Sequence, residues 1–378
     1  MTILVVALTA LLTIGCATRN ERGAAAHEPN VATYPTGQLP RSIAIADLDG
    51  DGHRDVIVAN SGDDTLQLFV GTTSGQLRPL SPPIPAGNEP SDVDVVDVDR
   101  DGDGDLVVAN HETSLITVLL NDGHARFTNA PGSPLQSNAR PHVHGVATGD
   151  LDGDGWNDIA VESADTHEVR VLRGGSAGFG VSEGVAVGTM PYSRLGAADV
   201  TGDGRVEILV PGHGNNSVLV VGQGRDVLAE WTTSLSAQPW MVVGDDVNGD
   251  GRTDVVVVVT DGVSVLLAGA EGFEDAPGSP FSVARATEVA TGDLDGDDIA
   301  DIVVGPWEGD EVTVLRGGTF VRQSVRTCGR PTGLAIADLN DDGRGELVVA
   351  CVTENRMLVV SDAMISAGTS RSATPAGG

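Results

Sequence analysis

Aromatic side chains are scarce in this sequence. Twelve of 378 residues, about 3%, are Trp, Tyr or Phe, too few for kelch-type repeats, which set aromatics in every unit. Bases are scarce as well. The 22 Lys and Arg face 54 Asp and Glu, a formal charge of −32. Such a surface repels nucleic-acid phosphates and anionic lipid, so nucleic acid is not an expected partner and cations are. Only three cysteines occur, Cys16, Cys328 and Cys351, too few to build a zinc site alone. There is no H-E-x-x-H or P-loop, so the chain reads as a non-enzyme.

Backbone punctuation, by contrast, is abundant, with 50 Gly and 19 Pro. Together with 40% hydrophobic residues, this is too apolar for a disordered chain and too glycine-rich for a helical bundle. It suits many short strands joined by tight turns.

The apolar run from Ile3 to Ile14 is too short to cross a bilayer and has the length of a signal-peptide core. Leu12-Thr13-Ile14-Gly15-Cys16 resembles the lipobox of bacterial lipoproteins, which implies lipidation of Cys16; an ordinary secretory peptide cleaved nearby is the alternative. The chain is therefore expected to be exported, as a cell-envelope lipoprotein or a secreted protein, touching membrane only through a lipid anchor. After the signal peptide (1–16), the expected units are a polar linker (17–30), one folded domain (31–365) and a disordered tail (366–378).

A nine-residue pattern, D-x-[DN]-x-D-G-x-x-[DE], organises that domain. Seven copies, some with substitutions, start at Asp47, Asp97, Asp150, Asp199, Asp246, Asp293 and Asp338, at spacings of 50, 53, 49, 47, 47 and 45 residues. A short segment of small and β-branched residues precedes each copy, as in Ile43-Ala44-Ile45-Ala46, and a continuous apolar run such as Val255 to Val259 follows. An unbroken β-branched run is a strand buried on both faces. A more alternating third segment comes next, as in Glu168 to Leu172, then an extended segment broken by proline, as in Phe127 to Ser133 and Phe273 to Ser279; proline confines a strand to an edge. Four strands per repeat, repeated seven times, predict an all-β fold: a seven-bladed β-propeller of four-stranded blades. The seventh repeat lacks its outer strand. Val31 to Tyr34, ahead of the first repeat, is expected to supply it, closing the last blade with both termini and removing an open edge.

The nonapeptide is a cage for a hard cation. Alternate residues of a tight loop point oxygens inward from positions 1, 3, 5 and 9, and a glycine at 6 permits the turn that brings in the carbonyl of position 7. With a water this makes six or seven oxygens, which suits calcium. An EF-hand needs a bidentate Glu at position 12; here that position is Val58, Val108, Val161, Val210, Val257, Val304 and Val349, so the loop must close at position 9.

Blades with such hairpins, joined by Gly-Phe and Ala-Pro-Gly-Ser-Pro segments, resemble the FG-GAP/VCBS repeat family, which includes the seven-bladed head of integrin α chains and many exported bacterial proteins. The resemblance spans about 335 residues and implies calcium in the loops. It assigns the first site to Asp47, Asp49, Asp51 and Asp55 with the His53 carbonyl, and the second to Asp97, Asp99, Asp101 and Asp105 with that of Asp103. The third takes Asp150, Asp152, Asp154 and Asp158 with Trp156. The fifth takes Asp246, Asn248, Asp250 and Asp254 with Arg252, an amide replacing one carboxylate. The sixth, Asp293, Asp295, Asp297 and Asp301 with Ile299, has Asp298 where glycine belongs. The seventh combines Asp338, Asn340, Asp342 and Glu346 with Arg344. The fourth retains Asp199, Asp203 and Glu207 but has Thr201 at position 3, the weakest cage. Several calcium ions, up to seven, are thus expected.

At the opposite end of the blades, the turns entering the first strands repeat proline plus a variable residue: Pro40-Arg41, Pro90-Ser91, Pro141-His142, Pro191-Tyr192, Pro239-Trp240 and Pro331-Thr332. The turns leaving second strands add His111, His213, Trp307 and Arg356. Tyr192, Trp240 and Trp307 on one rim, with His111, His142 and His213, would make a surface for a glycan or a protein. His142 and His144 are read as neighbours on one face of a first strand without a third metal ligand nearby.

The expected function is a monomeric, calcium-binding envelope propeller acting in adhesion or ligand binding. A calcium-dependent polysaccharide-active enzyme and a structural scaffold of an envelope complex are the alternatives. Cys328 and Cys351 reach the same rim of blade seven, with Cys351 read as lying opposite Gly333. They form either a disulfide or two separately buried thiols.

Overall fold

Each acidic nonapeptide is the hairpin between the first and second strands of a sheet. The computed structural model describes residues 31–222, 229–269, 272–361 and 365; the segments expected to be a signal peptide with Cys16, a linker and a tail lie outside them. Seven antiparallel sheets follow one another along the chain. Blade one, for example, runs through Pro40–Ala46, Asp55–Asn60 and Thr65–Val70, with Arg78–Pro79 and Ile84–Pro85 on its outer edge.

The second strands are Asp55–Asn60, Asp105–Asn110, Asp158–Ser163, Glu207–Gly212, Asp254–Val259, Asp301–Pro306 and Glu346–Cys351, and every residue in them is buried. Their unbroken apolar character has that cause: a blade packs against a neighbour on both faces. Seven apolar clusters lie between successive blades, the one joining blades seven and one built on Val56, Phe69, Val348 and Met357.

First strands touch their neighbours all round the axis, including the pair from blades seven and one. Small residues are required there. A Cβ on Gly333 would stand 2.7 Å from the Arg41 carbonyl oxygen, so bulk would push adjacent blades apart.

The outer strands of blades two and five are interrupted by Ala-Pro-Gly-Ser-Pro, leaving the pieces Phe127–Asn129 and Leu135–Gln136, and Gly272–Asp275 and Phe281–Ser282. Serine hydroxyls replace the lost ladder acceptors: Val118 N–H donates to Ser133 Oγ at 2.9 Å and Val265 N–H to Ser279 Oγ at 3.0 Å.

Blade seven comprises Pro331–Ala337, Glu346–Cys351 and Arg356–Val360, and Val31–Pro35 pairs along its outer edge. A disulfide joins Cys328 to Cys351 in this blade. The register differs from the sequence reading: Gly333 faces Ala350 and Pro331 faces Cys351, because Thr332 is bulged out of the ladder. The extra residue brings the partner of Cys351 closer to Cys328 along the chain.

Candidate functional site

The acidic loops share one backbone design. Positions 4 and 6 are both left-handed, at φ +76° and +89° for Gly50 and Gly52 in the first loop. Where the sixth loop lacks glycine, Asp298 adopts φ +63° and follows the same turn with a residue that visits this region at some cost. The position-1 carboxylate holds the turn: Asp47 Oδ1 and Oδ2 accept the N–H groups of Gly50 and Gly52, each at 2.9 Å. Position 9 opens the buried second strand. Asp55 Oδ2 and Oδ1 accept the N–H groups of Leu48 at 2.9 Å and Gly71 at 2.8 Å.

These bonds use one lone pair on each oxygen and leave the others facing inward. Asp47, Asp49 and Asp55 bring carboxylate oxygens within 4.8 Å of one another, and Asp97, Asp99 and Asp101 do the same. Burial pushes Asp55, Asp105 and Asp254 up to about 6 and Glu346 up to about 7, against the pull of their backbone donors. Clustered, partly desolvated carboxylates with all-oxygen donors fit calcium.

The other cages contain donors of their own. In loop three, Arg173 Nη1 lies 2.7 Å from Asp158 Oδ2 and 3.7 Å from Asp152 Oδ2. Loop six repeats this with Arg316 Nη1, 2.7 Å from Asp301 and 3.4 Å from Asp295. In loop seven Asn340 Nδ2 donates to Glu346 Oε1 at 2.7 Å, and in loop four Thr201 Oγ1 donates to Glu207 Oε1 at 3.3 Å. In loop five Asn248 Nδ2 reaches Asp254 Oδ1 only at 3.5 Å.

At the opposite end a bulge explains the Pro-x pattern. The pairings Pro40↔Asn60 and Ser42↔Ala59 leave Arg41 as an extra residue, and Ser91, Trp240, Thr287 and Thr332 stand in the same place in blades two, five, six and seven. A bulge re-aims its side chain, and all five residues line one cavity of about 570 Å³. Tyr192, Trp307, His111, His144, Arg194, Glu288 and Arg330 complete its principal polar and aromatic wall. Arg356 is not in that wall; it opens the third strand of blade seven.

An unbroken file of rings runs along this rim. His111 and His142 lie 4.1 Å apart by ring centroid, His142 and His144 4.6 Å, His144 and Tyr192 4.6 Å, Tyr192 and His213 5.2 Å, and His213 and Trp240 4.7 Å. Trp307, across a second hollow of about 260 Å³ from Trp240, is 47% exposed and carries the Arg330 guanidinium 4.2 Å from its ring. Burial lowers the His111, His142 and His213 imidazoles, favouring their neutral forms.

Deeper in, Arg194 from blade four crosses the axis, donating to Glu288 Oε2 at 3.1 Å and to the Ser91 carbonyl at 3.2 Å, with Asp92 at 3.9 Å. Burial nevertheless pushes Glu288 up to about 7.

Two expectations about the rim are corrected. His142 and His144 do not lie on a first strand, which begins only at Ala147; they occupy the irregular segment before it. Nor do they lack a third ligand, since the turn after blade two's second strand places His111 beside them, one ring nitrogen of each within 4.8 Å of the others. Sequence reasoning also missed Glu162, Arg194, Glu288 and Arg330. Glu162 had a signal: it is a carboxylate inside a buried second strand where the other repeats carry Ala59, Ala109, Pro211, Val258, Gly305 and Ala350. Arg194 and Glu288 meet only across the axis, from different blades.

The chain matches the FG-GAP-like repeat at residues 47–108, 97–161 and 246–304. Each match runs from one acidic loop into the second strand of the next blade. No curated protein matches the sequence. Solved structures share the fold at low identity. BBS1N in complex with ARL6DN is 14% identical with a TM-score of 0.60, over 90% of this chain and 96% of that one. Virginiamycin B lyase from Staphylococcus aureus is 11% identical with a TM-score of 0.58, over 88% and 98%. An Agrocybe aegerita lectin specific for non-reducing terminal N-acetylglucosamine is 18% identical with a TM-score of 0.53, over 78% and 89%.

Proposed function

We propose, from the premise that the chain is a seven-bladed β-propeller of FG-GAP-like repeats, that it is a calcium-stabilised binding module of the cell envelope whose ligand is an anionic glycan. Calcium would be held by the loop carboxylates, most strongly in loops one, two and five, and its role there is structural: it offsets repulsion among carboxylates and fixes the hairpins that order each blade. The apolar run Ile3 to Ile14 and the lipobox-like Leu12 to Cys16 support export and attachment in this reading.

The observation that carries the ligand class is the composition of the cavity wall. In a chain of charge −32, Arg41 and Arg330 line this mouth, while Arg194 deeper in is paired with the one acid in the lining, Glu288. Tyr192, Trp240 and Trp307 add flat apolar faces. Guanidinium groups pair with carboxylate or sulfate, and aromatic faces stack on sugar rings, so the wall suits an acidic saccharide. The lectin among the structural neighbours shows that the fold accommodates sugar recognition in another protein.

A glycan array probed with the purified protein in millimolar calcium tests this. Binding to uronic-acid or sulfated glycans, lost in Trp240→Ala and weakened in Arg41→Ala, is the expected result; binding unchanged in both variants would overturn it. The second reading, an enzyme acting on such a glycan, is favoured by the same arginines with His111 and His144. A lyase would release unsaturated products from the bound glycan, seen as a rise in ultraviolet absorbance.

A further inference from the structure

We propose that His111, His142 and His144 form a binding site for a single divalent transition-metal ion of the zinc type, separate from the calcium loops and at the other end of the molecule. The three imidazoles come from two places: His111 from the turn leaving blade two's second strand, His142 and His144 from the segment entering blade three.

The spacing suits a shared ion. His142 Nε2 and His144 Nε2 are 3.2 Å apart. Two nitrogens bound at about 2.0–2.1 Å to a tetrahedral zinc lie about 3.3 Å from each other. A ring nitrogen of His111 is within 4.8 Å of both. Imidazole nitrogen is a ligand for zinc, copper or nickel and a poor one for calcium, so the two ends of the propeller select different ions.

The surroundings provide what metal-bound histidines ordinarily have, a carboxylate behind the ring. Glu162 Oε1 lies 2.6 Å from His144 Nδ1 and accepts the His144 backbone N–H at 2.7 Å. That bond keeps the proton on Nδ1 and leaves Nε2 with its lone pair toward His142. Glu112 Oε1 lies 3.1 Å from His111 Nδ1 in the same role. Glu162 is 1% exposed, and among the described residues its Oε2 has no hydrogen-bond partner. A buried carboxylate with one oxygen unsatisfied is costly to retain for packing alone, and charge from a metal passed through His144 supplies its compensation. Three protein ligands leave a coordination position open, and His111 and His144 border the cavity.

The test uses untagged protein stripped with chelator and then saturated with calcium, so that the acidic loops are occupied. Titration with Co²⁺ should give one equivalent with the intense visible absorption of tetrahedral nitrogen ligation, displaced by Zn²⁺. His142→Ala and His111→Ala, which keep the Glu162–His144 pair and hence the fold, should abolish that spectrum while circular dichroism and calcium binding stay unchanged. Glu162→Gln should weaken binding about 10- to 100-fold. Absence of the spectrum in the parent protein, or its persistence in both histidine variants, would overturn the proposal and leave the three rings as a hydrogen-bonded stack.

Discussion

Loops one and three carry the same carboxylates at the same four positions, yet they are electrostatically different. In loop one, among the described residues, the donors to the oxygens of Asp47 and Asp55 are backbone N–H groups. In loop three a guanidinium lies against Asp158 and near Asp152. The difference comes from outside the motif. Arg173 stands just past the third strand of its blade, in the place of Leu120 and Leu267 in blades two and five, and Arg316 occupies that place in blade six. A ligand pattern therefore does not define a cation site until the residue facing it across the sheet is known. The seven cages form a series: acceptor-only in one and two, nearly so in five, carrying a weak internal donor in four and a strong one in seven, and filled by a fixed cation in three and six.

The largest expected effect tests whether the acceptor-only cages need an ion at all. The seven nonapeptides hold 28 of the 54 acids, and without cations these repel at close range. At calcium about tenfold above a dissociation constant of 10⁻⁴ M, each filled site adds roughly 1.4 kcal/mol. Three such sites should raise the melting temperature by on the order of 5–10 °C over protein in excess chelator. Equal melting temperatures would remove calcium from the account of stability.

Blade seven sharpens the comparison, since its cage is partly satisfied by Asn340 and its stability has a second source. The Cys328–Cys351 disulfide closes a loop over 23 positions, a class worth roughly 2–4 kcal/mol. Reduction should lower the melting temperature in calcium and in chelator by similar amounts, because the bond acts on a blade whose loop depends little on the ion. A loss confined to the calcium-bound form would show that loop seven is filled.

Stoichiometry separates individual cages. Asp51→Ala should lower calcium binding by one site and Asp203→Ala, in the Thr201-bearing loop, should leave it unchanged. Arg173→Leu, which gives blade three the residue of blades two and five, should add one site. Calorimetric titration reads all three; an unchanged count for Arg173→Leu would mean that the guanidinium does not compete with the ion.

Most of the fold was legible because each of its causes is local and repeated seven times. The second strands announce themselves by apolar runs, the hairpins by their acids, and blade closure by the strand missing at one end and spare at the other. The candidate sites were legible only in part. Loop ligands lie within nine residues, but Arg173 and Arg316 sit outside the nonapeptide, 15 residues past Asp158 and Asp301. The rim was visible as Pro-x dipeptides without the bulge that aims x into the cavity. His111 was read as a rim residue and not as a neighbour of His142 and His144, because the contact joins different blades and no spacing rule connects them.

The smallest expected effect concerns Arg194, an arginine that meets carboxylates at the axis and not in a loop. Here the partner is Glu288, 16% exposed, which burial pushes up to about 7 although Arg194 and Arg41 pull it down and Asp92 pushes it further. A carboxylate raised in the folded state binds its proton more tightly there than in the unfolded chain, where it titrates near 4.5. Its contribution to stability is therefore greatest at low pH, declines as pH rises from about 4.5 to about 7, and is flat above. Glu288→Gln removes that titration and keeps the shape and a hydrogen-bond acceptor for Arg194. Relative to the parent protein, the variant should gain stability between pH 5 and pH 8 in matched denaturant melts at saturating calcium, where loop carboxylates contribute equally to both. A stability difference that stays constant over that range would show that Arg194 holds Glu288 ionised throughout, as a surface pair does, and that the axis is better hydrated than its packing indicates.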